Sequence, residues 1–210
     1  MSTDKAQVWD FCESYVPEPP AIGAAREVAL ELGASPITPG TGALLRTLAA
    51  SRDARAVIEI GTGAGVSGLW LLEGMSPDGV LTTIDPEGEF QRAARTAFRN
   101  AGVASHRTRF INDRALDVLG RMADNAYDMV VIDGPAPETP QYLDHAARML
   151  RGQGILVVTN ALWFGAVANP ARRDMDTVVM REMTRALLES EQFTVSLLPI
   201  GEGVEVAVRR

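Results

Sequence analysis

The stretch Val57-Ile58-Glu59-Ile60-Gly61-Thr62-Gly63-Ala64-Gly65-Val66-Ser67-Gly68 decides the fold of this chain. It begins as a short apolar run with β-branched residues, which is typical of a buried strand. The glycines at positions 61, 63 and 65 then allow a tight turn in which the backbone approaches a ligand closely. A helix that starts here offers unpaired N–H groups to an anionic group. The stretch therefore predicts a strand, a glycine turn and a helix, with a ligand at the turn.

The residues around this turn indicate which ligand it binds. A second strand is expected to end at Asp85, roughly 20 residues further on, where nucleoside-binding folds place an acidic residue for the ribose. A dinucleotide turn reads Gly-x-Gly-x-x-Gly, but Val66 occupies the third glycine position. The negative charge of Glu59 suits a pyrophosphate poorly and suits a cofactor with an amine and a sulfonium well. S-adenosylmethionine is therefore favoured, and an NAD-type dehydrogenase or a turn without a ligand are the alternatives.

The composition is that of one globular enzyme. The chain has 210 residues, 46% of them hydrophobic, and a formal net charge of −7. It has no basic tract, so nucleic acid is not the expected partner. It also has no apolar stretch that would span a bilayer or act as a secretory leader, so no membrane is expected. The single cysteine, Cys12, fits a reducing compartment, and we expect a cytoplasmic protein.

Helical and strand patterns alternate along the chain. Strands are expected at 56–60, 80–84, 108–111, 128–132 and 155–158, and helices at 5–15, 21–32, 40–50, 66–73, 87–101, 116–122, 141–150 and 174–189. A closing hairpin is expected from 193–198 and 204–208, with one of its strands antiparallel to the rest. The alternation predicts an α/β fold with a parallel sheet and helices on both faces. We expect a single domain over 1–210, with N-terminal helices in 1–50 and the core in 55–210.

Polar residues follow each of the five expected parallel strands. Ligands of such sheets bind at the carboxyl ends of the strands, where the strand order reverses. The strand ends carry Glu59, Asp85, Asn112–Asp113, Asp133 and Thr159–Asn160. Asp113 is expected to be a helix N-cap. The other side chains predict a polar cleft for a cationic cofactor and a candidate metal site.

From Ile37 to its end the chain resembles the catechol and caffeoyl-coenzyme-A type O-methyltransferases, most of all their small bacterial members. The motifs that carry the resemblance are Ile37-Thr38-Pro39, Tyr142, Gly165 and residues 57–65, 81–85, 127–133, 150–155, 160–163 and 198–203. The resemblance implies a Rossmann-like class I methyltransferase with a mostly parallel seven-stranded sheet and a C-terminal antiparallel hairpin. It also implies S-adenosyl-L-methionine as methyl donor, a small-molecule hydroxyl acceptor, and a homodimer.

The resemblance also implies which residues bind the cofactor. Carried over position by position, the contacts fall on Ile37, Glu59, Gly61, Thr62, Gly63, Ser67, Asp85, Pro86, Ala115 and Asp133. Asp85 would accept the ribose hydroxyls, Glu59 would attract the ammonium, and the N–H of Ala115 would lie near the adenine. Ser67 either caps the helix and donates to the cofactor's carboxylate, or caps the helix alone. Ile37 and Pro86 either contact the cofactor or serve packing alone.

The active site departs from the family pattern. Residues 133–136 read Asp-Gly-Pro-Ala where the family has Asp-Ala-Asp-Lys, and Thr159-Asn160 replaces Asp-Asn. Asp133 and Asn160 remain as candidate metal ligands, but a carboxylate and the lysine base are missing. Mg²⁺ at a site with one carboxylate is expected to bind weakly, together with substrate. Asp133 is the candidate catalytic residue, either as proton acceptor or as a counter-charge to the sulfonium.

Few other side chains can accept a proton. Lys5 is the only lysine, and the two histidines, His106 and His145, are expected away from the strand ends. Asp133 and Trp163 are the candidate substrate contacts, and Trp163 either stacks on an aromatic acceptor or belongs to the core. The leading hypothesis is an S-adenosylmethionine-dependent O-methyltransferase for a small phenolic acceptor. The alternatives are a tRNA-modifying O-methyltransferase and a catalytically degenerate S-adenosylmethionine-binding protein.

Overall fold

A computed structural model describes residues 4–210, which form one seven-stranded sheet covered by helices. The strands are β1 (Ala56–Ile60), β2 (Val80–Ile84), β3 (Thr108–Ile111), β4 (Tyr127–Ile132), β5 (Leu150–Val158), β6 (Phe193–Leu198) and β7 (Val204–Arg209). The helices are α1 (Lys5–Ser14), α2 (Pro20–Glu31), α3 (Pro39–Ser51), α4 (Val66–Gly74), α5 (Gly88–Asn100), α6 (Ala115–Leu119), α7 (Thr139–Met149) and α8 (Met175–Glu189). The predicted alternation of strands and helices is confirmed. None of the helices within residues 4–210 is long and apolar enough to cross a bilayer.

The sheet has the strand order β3-β2-β1-β4-β5-β7-β6. Strands β1 to β5 pair in parallel, and β7 runs antiparallel to both of its neighbours, β5 and β6. The predicted hairpin with one antiparallel strand is thus confirmed, and the antiparallel strand is β7. The order reverses between β1 and β4, which places a crevice at the carboxyl ends of these two strands.

Two apolar layers cover the sheet, one on each face. Successive residues of β1 alternate between them, with Val57 in the first layer and Ile58 in the second. Strands that are buried on both faces read as continuous apolar runs, which explains the lack of polar alternation in β1 and β4. In the first layer α3 lies directly against α4. The two helices are so close that a Cβ atom at Gly42 would be only 2.2 Å from Nε1 of Trp70. The glycine therefore allows the N-terminal helices to pack closely on the sheet domain.

A buried carboxylate joins α1 to the rest of the fold. Glu13 accepts the N–H of Gly40 at 3.1 Å, in the first turn of α3, and the N–H of Gly201 at 2.6 Å, in the β6–β7 turn. Glu13 is the buried residue of α1. The helix leaves apolar side chains exposed, among them Trp9 and Phe11.

The strand β5 begins earlier than the sequence predicts. The prediction was 155–158, whereas β5 spans Leu150–Val158 with a register shift against β4 between Tyr127 and Met129. Its first half contains Gly152 and Gly154, and glycine is depleted in strands because it supplies no side chain to pack. Within this half Leu150 pairs with Tyr127 of β4, and Arg151 forms an ion pair with Asp128 of the same strand, whereas residues 151–154 lie in the register shift. The sequence pattern alone does not reveal these contacts.

One buried carboxyl in β7 lacks a compensating contact. Glu205 is 3% exposed and lies between Val158 of β5 and Leu197 of β6. Its Oε2 atom has no hydrogen-bond partner among residues 4–210. Burial raises the pKa of Glu205 from its ordinary value of 4.5 to about 7. The ionised form is therefore disfavoured in the folded protein.

We expect Glu205→Gln to raise the free energy of unfolding at pH 8 by about 1–3 kcal/mol, since one pKa unit corresponds to roughly 1.4 kcal/mol. Because the folded-state pKa is the higher one, the natural protein has its full stability below pH 4.5 and loses stability as the pH rises to about 7. The gain of the variant should therefore vanish toward pH 4.5. Urea unfolding of both proteins at pH 5 and pH 8 measures this, and equal stability at pH 8 would contradict it.

Candidate active site

The glycine turn after β1 is held in place by Asp85. The Oδ2 atom of Asp85 accepts the N–H groups of Thr62 at 2.9 Å and Gly63 at 3.0 Å, and Oδ1 accepts the N–H of Glu87 at 2.9 Å. The turn begins at Gly61, which has φ +96°, a conformation open to glycine at little cost. The turn that the sequence predicts is therefore present, and the carboxylate after β2 organises its backbone.

The ends of β1 and β4 approach each other closely at this turn. A Cβ atom at Gly61 would lie 2.2 Å from the main-chain oxygen of Asp133. The N–H of Asp133 in turn donates to the oxygen of Ile60 at 2.9 Å. A side chain at position 61 would push the two strand ends apart, so this glycine brings Asp133 next to the turn.

Glu59 is a fully buried carboxyl group beneath the turn. Thr83 donates its hydroxyl to Oε2 of Glu59 at 2.6 Å, while Oε1 has no hydrogen-bond partner among residues 4–210. Burial raises the pKa of Glu59 to about 7, against the lowering effect of the Ser67 and Thr83 hydroxyls, and the charges of Asp133 and Asp85 raise it further. A buried carboxyl with one unused oxygen is suited to a cationic group of a ligand.

Asp133 lies directly after β4 and is half-buried. The side-chain nitrogen of Asn160 donates to its Oδ1 atom at 2.5 Å. Burial raises the pKa of Asp133 to about 6, opposed by the nearby Thr159 hydroxyl and the hydrogen bond from Asn160, and the charge of Asp85 adds to the rise. Asp133 is therefore mostly ionised at neutral pH and is a stronger base than an exposed aspartate, as general base catalysis requires.

Two cavities meet at Gly61 and Asp133. The larger one, about 480 Å³, lies within the size range of ligand pockets, and the smaller one is about 40 Å³. The larger cavity is lined by Gly61, Asp85, Pro86, Ala115 and Asp133 among others, and the smaller one by Ile37, Gly61, Thr62, Gly63, Ser67 and Asp133 among others. The structure thus brings all the predicted cofactor residues to these cavities except Glu59, which lies behind the turn. Their individual roles stay predictions.

The outer wall of the larger cavity is formed by residues that the sequence does not mark as functional. There Arg114 donates to Oε1 of Glu138 at 2.5 Å, and the hydroxyl of Tyr142 donates to the other oxygen of the same carboxylate. The burial of Tyr142 and the nearby Glu138 raise the pKa of this phenol above its ordinary value. Glu138 and Tyr142 lie one helical turn apart, whereas Arg114 comes from a segment 24 positions away, which no local pattern joins to them.

The candidate metal residues do not fit a divalent cation. Thr159 is 2% exposed and its hydroxyl donates to the main-chain oxygen of Ile132 at 3.4 Å. Asn160 presents its amide nitrogen, a donor, to Asp133. Within residues 4–210 no group of three His, Cys, Asp or Glu side chains forms a potential metal cluster. A hard cation prefers several oxygen ligands, and this set offers a single carboxylate.

The candidate substrate residue Trp163 lies in the loop that follows β5. Trp163 and Phe164 both have positive φ angles, +47° and +55°, and their ring centroids are 5.7 Å apart in an edge-to-face arrangement. Trp163 is half-buried and packs against the second apolar layer, whereas Phe164 is 66% exposed. Trp163 thus lies at the edge of the apolar layer, and its contact with an acceptor stays a prediction.

Two predicted helix caps are wrong. Asp113 is exposed and accepts the N–H of Arg114 at 2.9 Å, and the N-cap of α6 is Arg114 without a side-chain cap. The N-cap of α4 is Gly65, also without a side-chain cap, so Ser67 does not cap that helix. Helix α4 begins at Val66 as predicted, so Ser67 lies inside its first turn, and Asp113 lies one residue before the N-cap of α6.

The histidines lie outside the two cavities. His106 belongs to a short 3-10 turn before β3, and His145 lies on α7. Neither contributes to the lining of either cavity. Lys5 lies at the start of α1. Asp133 thus remains the candidate base at the crevice.

Comparison with known proteins agrees with this geometry. Residues 21–210 match a family described as O-methyltransferase. "Probable O-methyltransferase Rv1220c" of Mycobacterium tuberculosis (strain ATCC 25618 / H37Rv) is 46% identical over 202 residues, which are 96% of this chain and 90% of the relative. A crystal structure from Corynebacterium glutamicum has TM-score 0.90 and 35% identity, covering 97% of this chain and 96% of that one. The O-methyltransferase TomG from Streptomyces achromogenes, in complex with SAM, has TM-score 0.86 and 29% identity, covering 98% of each chain.

Proposed function

The chain belongs to the O-methyltransferase family, and from that premise we propose that it transfers a methyl group from S-adenosyl-L-methionine to a hydroxyl of a small phenolic acceptor. The observation that carries the proposal is the acidic crevice between β1 and β4. Glu59, Asp85 and Asp133 lie close enough for the charges of the two aspartates to raise the pKa of Glu59. Such a crevice suits a cofactor that has an ammonium and a sulfonium.

The two cavities suggest how the cofactor is oriented. We assign the adenosine to the larger cavity, with the base near Pro86 and Ala115 and the ribose at Asp85. Asp85 already accepts three main-chain N–H groups, but a carboxylate has about four acceptor positions and can still bind a hydroxyl. The smaller cavity would receive the methionine end, next to Ile37 and Ser67. Oε1 of Glu59 would then balance the positive charge of the cofactor's ammonium group.

The residues at the junction of the cavities can carry out the proton transfer. S-adenosylmethionine supplies, when bound, a methyl group on a positively charged sulfur. Asp133 accepts the proton of the acceptor hydroxyl, and the hydrogen bond from Asn160 fixes the carboxylate while Oδ2 stays available. Alignment of acceptor and donor supplies about 7–11 kcal/mol of the barrier in favourable cases. With one carboxylate as base, an acidic phenol is the fitting acceptor.

The affinity for S-adenosylhomocysteine, which keeps the ammonium, is expected to be about tenfold weaker at pH 6 than at pH 8. The ionised form of Glu59 attracts the ammonium, and this form is lost as the pH falls below the free-state pKa of about 7. Glu59→Gln should bind more weakly at pH 8 and lose this dependence, whereas Asp133→Asn should keep most of it. Calorimetric titration at both pH values measures the effect. A dependence that persists in Glu59→Gln would assign it to another group.

Methyl transfer itself tests the proposed function. The purified protein is incubated with S-adenosylmethionine and either 3,4-dihydroxybenzoate, caffeate or an unmodified tRNA transcript, with and without EDTA, and the products are identified by mass spectrometry. We expect methylation of the phenols at a rate that EDTA does not change. Methylation of the tRNA alone would support the tRNA alternative. Cofactor binding without any transfer would support the degenerate binding protein.

We further propose a cytoplasmic homodimer. The resemblance to the family supports the dimer, and so does the exposed apolar side of α1, which includes Val8, Trp9, Phe11 and Tyr15. The single thiol, Cys12, fits a reducing compartment. Sedimentation of the natural protein and of Phe11→Ser tests the dimer, since a monomeric natural protein would contradict it.

A further inference from the structure

Arg181 on α8 binds the main-chain carbonyls of a single loop. Its Nε atom donates to Val167 at 3.1 Å, Nη2 donates to Asn169 at 2.9 Å and to Ala166 at 3.3 Å, and Nη1 donates to Arg172 at 3.2 Å. A guanidinium has five N–H donors in a fixed planar arrangement and no acceptor. Most of the donors of Arg181 are thus used by loop 166–172, which they tie to α8.

This loop continues from the strained Trp163–Phe164 pair. A left-handed conformation costs a non-glycine residue energy, so a pair of aromatic residues in that conformation persists only where neighbouring contacts hold it. On one side the N–H of Trp163 donates to the oxygen of Asn160 at 3.0 Å, and Asn160 is bound to Asp133. On the other side the pair is followed by Gly165, with φ +77°, and by the carbonyls that bind Arg181.

The loop therefore connects Arg181 with Asn160 and Asp133 at the crevice. Asn160 contacts the candidate base at one end of the loop, and the guanidinium fixes the other end. Phe164 is exposed, and its ring is available to an aromatic acceptor, whereas Trp163 supports it from the core side. Arg172, at the end of the loop, forms an ion pair with Asp174 at 3.0 Å, so its charge is already compensated.

We propose that Arg181 is a positioning residue that holds Trp163 and Phe164 in the loop after Asn160, the hydrogen-bond partner of Asp133, and thereby sets the affinity for the aromatic acceptor. The proposal rests on the proposed function. It concerns acceptor binding alone, because Arg181 does not line either of the two cofactor cavities. Loss of the guanidinium would release the loop and let the strained pair relax out of place. The acceptor would then bind poorly, while cofactor binding would be unaffected.

Steady-state kinetics with 3,4-dihydroxybenzoate test the proposal in Arg181→Ala and Arg181→Lys. We expect KM for the phenol to rise at least tenfold in the alanine variant, with kcat changed less than threefold. Lysine keeps the charge and three donors, so its KM should lie between the two. The matched control is Arg185→Ala, one turn further along α8, where the side chain is exposed and pairs with Glu189 at 2.8 Å. The control and all variants should bind S-adenosylhomocysteine like the natural protein.

Limited proteolysis gives a second readout that needs no acceptor. Trypsin can cut between Arg172 and Arg173, in the exposed end of the loop. We expect this cut to be at least fivefold faster in Arg181→Ala than in the natural protein and unchanged in Arg185→Ala. The lysine variant serves for both readouts if the alanine variant does not fold.

Several outcomes would overturn the inference. Equal rates of cutting would show that Arg181 does not hold the loop. Faster cutting with an unchanged KM would show that the loop does not position the acceptor, and an equal loss of cofactor affinity would show a general structural role. If the natural protein binds S-adenosylhomocysteine but methylates no phenol, the proposed function fails and the acceptor role of Arg181 falls with it. The rate of proteolysis then still decides whether the residue holds the loop.

Discussion

Replacement of Asp133 by asparagine is expected to lower kcat for methylation of a phenol at least 100-fold, since a positioned general base contributes about 10²–10⁴ in rate. The substitution keeps the size of the side chain but removes the proton acceptor at the junction of the two cavities. The loss in kcat should exceed that caused by a lost contact, because Lys5 and the histidines lie away from this junction and cannot accept the proton instead. The other carboxylates that line the larger cavity are already engaged, Asp85 by main-chain N–H groups and Glu138 by Arg114 and Tyr142.

The pH dependence of kcat/KM tests whether Asp133 is the base. Only the ionised form of Asp133 accepts a proton, so kcat/KM of the natural protein should rise with pH and level off above the pKa of about 6. This rise should disappear in Asp133→Asn. The matched control is Asp113→Asn, which changes an exposed carboxylate after β3 that lines neither cavity. Initial rates from pH 5 to pH 9 give the comparison. A variant that keeps more than a third of the natural rate would exclude Asp133 as the base.

Asp85→Ala is expected to weaken S-adenosylhomocysteine binding at least tenfold, because hydrogen bonds to a charged group contribute roughly 1.5–3 kcal/mol each. Two effects add up here. The carboxylate is lost as the expected acceptor of the ribose hydroxyls, and the N–H groups of Thr62, Gly63 and Glu87 lose their acceptor. The glycine turn should therefore become less ordered as well, with a loss of about 1–3 kcal/mol in the free energy of unfolding.

Asp85→Asn separates the two effects. Asparagine keeps one oxygen for the N–H groups of Thr62 and Gly63, but its amide nitrogen then faces the N–H of Glu87, and the charge is lost. We expect it to lose less unfolding free energy than Asp85→Ala while still binding the ligand several-fold more weakly. Calorimetry gives the affinities, and urea unfolding gives the stabilities. Natural affinity in both variants would refute the assignment of Asp85 to the ribose.

The local elements of this fold could be predicted from the sequence. The apolar run 57–60 and the glycines at 61, 63 and 65 specify a strand, a turn and a helix, because they determine which backbone angles are accessible over a few residues. The position of Asp85 after the next strand follows from the same regular alternation. Since the carboxyl ends of parallel strands share one edge of the sheet, the grouping of Glu59, Asp85 and Asp133 could also be predicted.

The early start of β5 could not be predicted in this way. Residues 150–154 contain two glycines and have no strand pattern of their own. In this segment only Leu150 has a partner in a neighbouring strand of residues 4–210, Tyr127 of β4, and regular pairing with β4 and β7 resumes at Ile155. Arg151 donates to Asp128 of β4, and Arg52 donates to the oxygen of Gly152. These contacts come from residues that are distant in sequence, so no local pattern contains them.

The chemical state of the candidate site was decided by tertiary structure alone. The sequence determined that Glu59 lies near the end of a strand and that Asp133 and Asn160 follow strands, all at one edge of the sheet. Packing determined that Asn160 donates to Asp133 across 27 positions, that burial raises the pKa of both carboxyls, and that Arg181 holds the loop after β5. The physical reason is the range of the forces involved. Backbone preferences act over a few neighbouring residues, whereas desolvation and hydrogen bonding between side chains depend on which distant segments exclude water from each other.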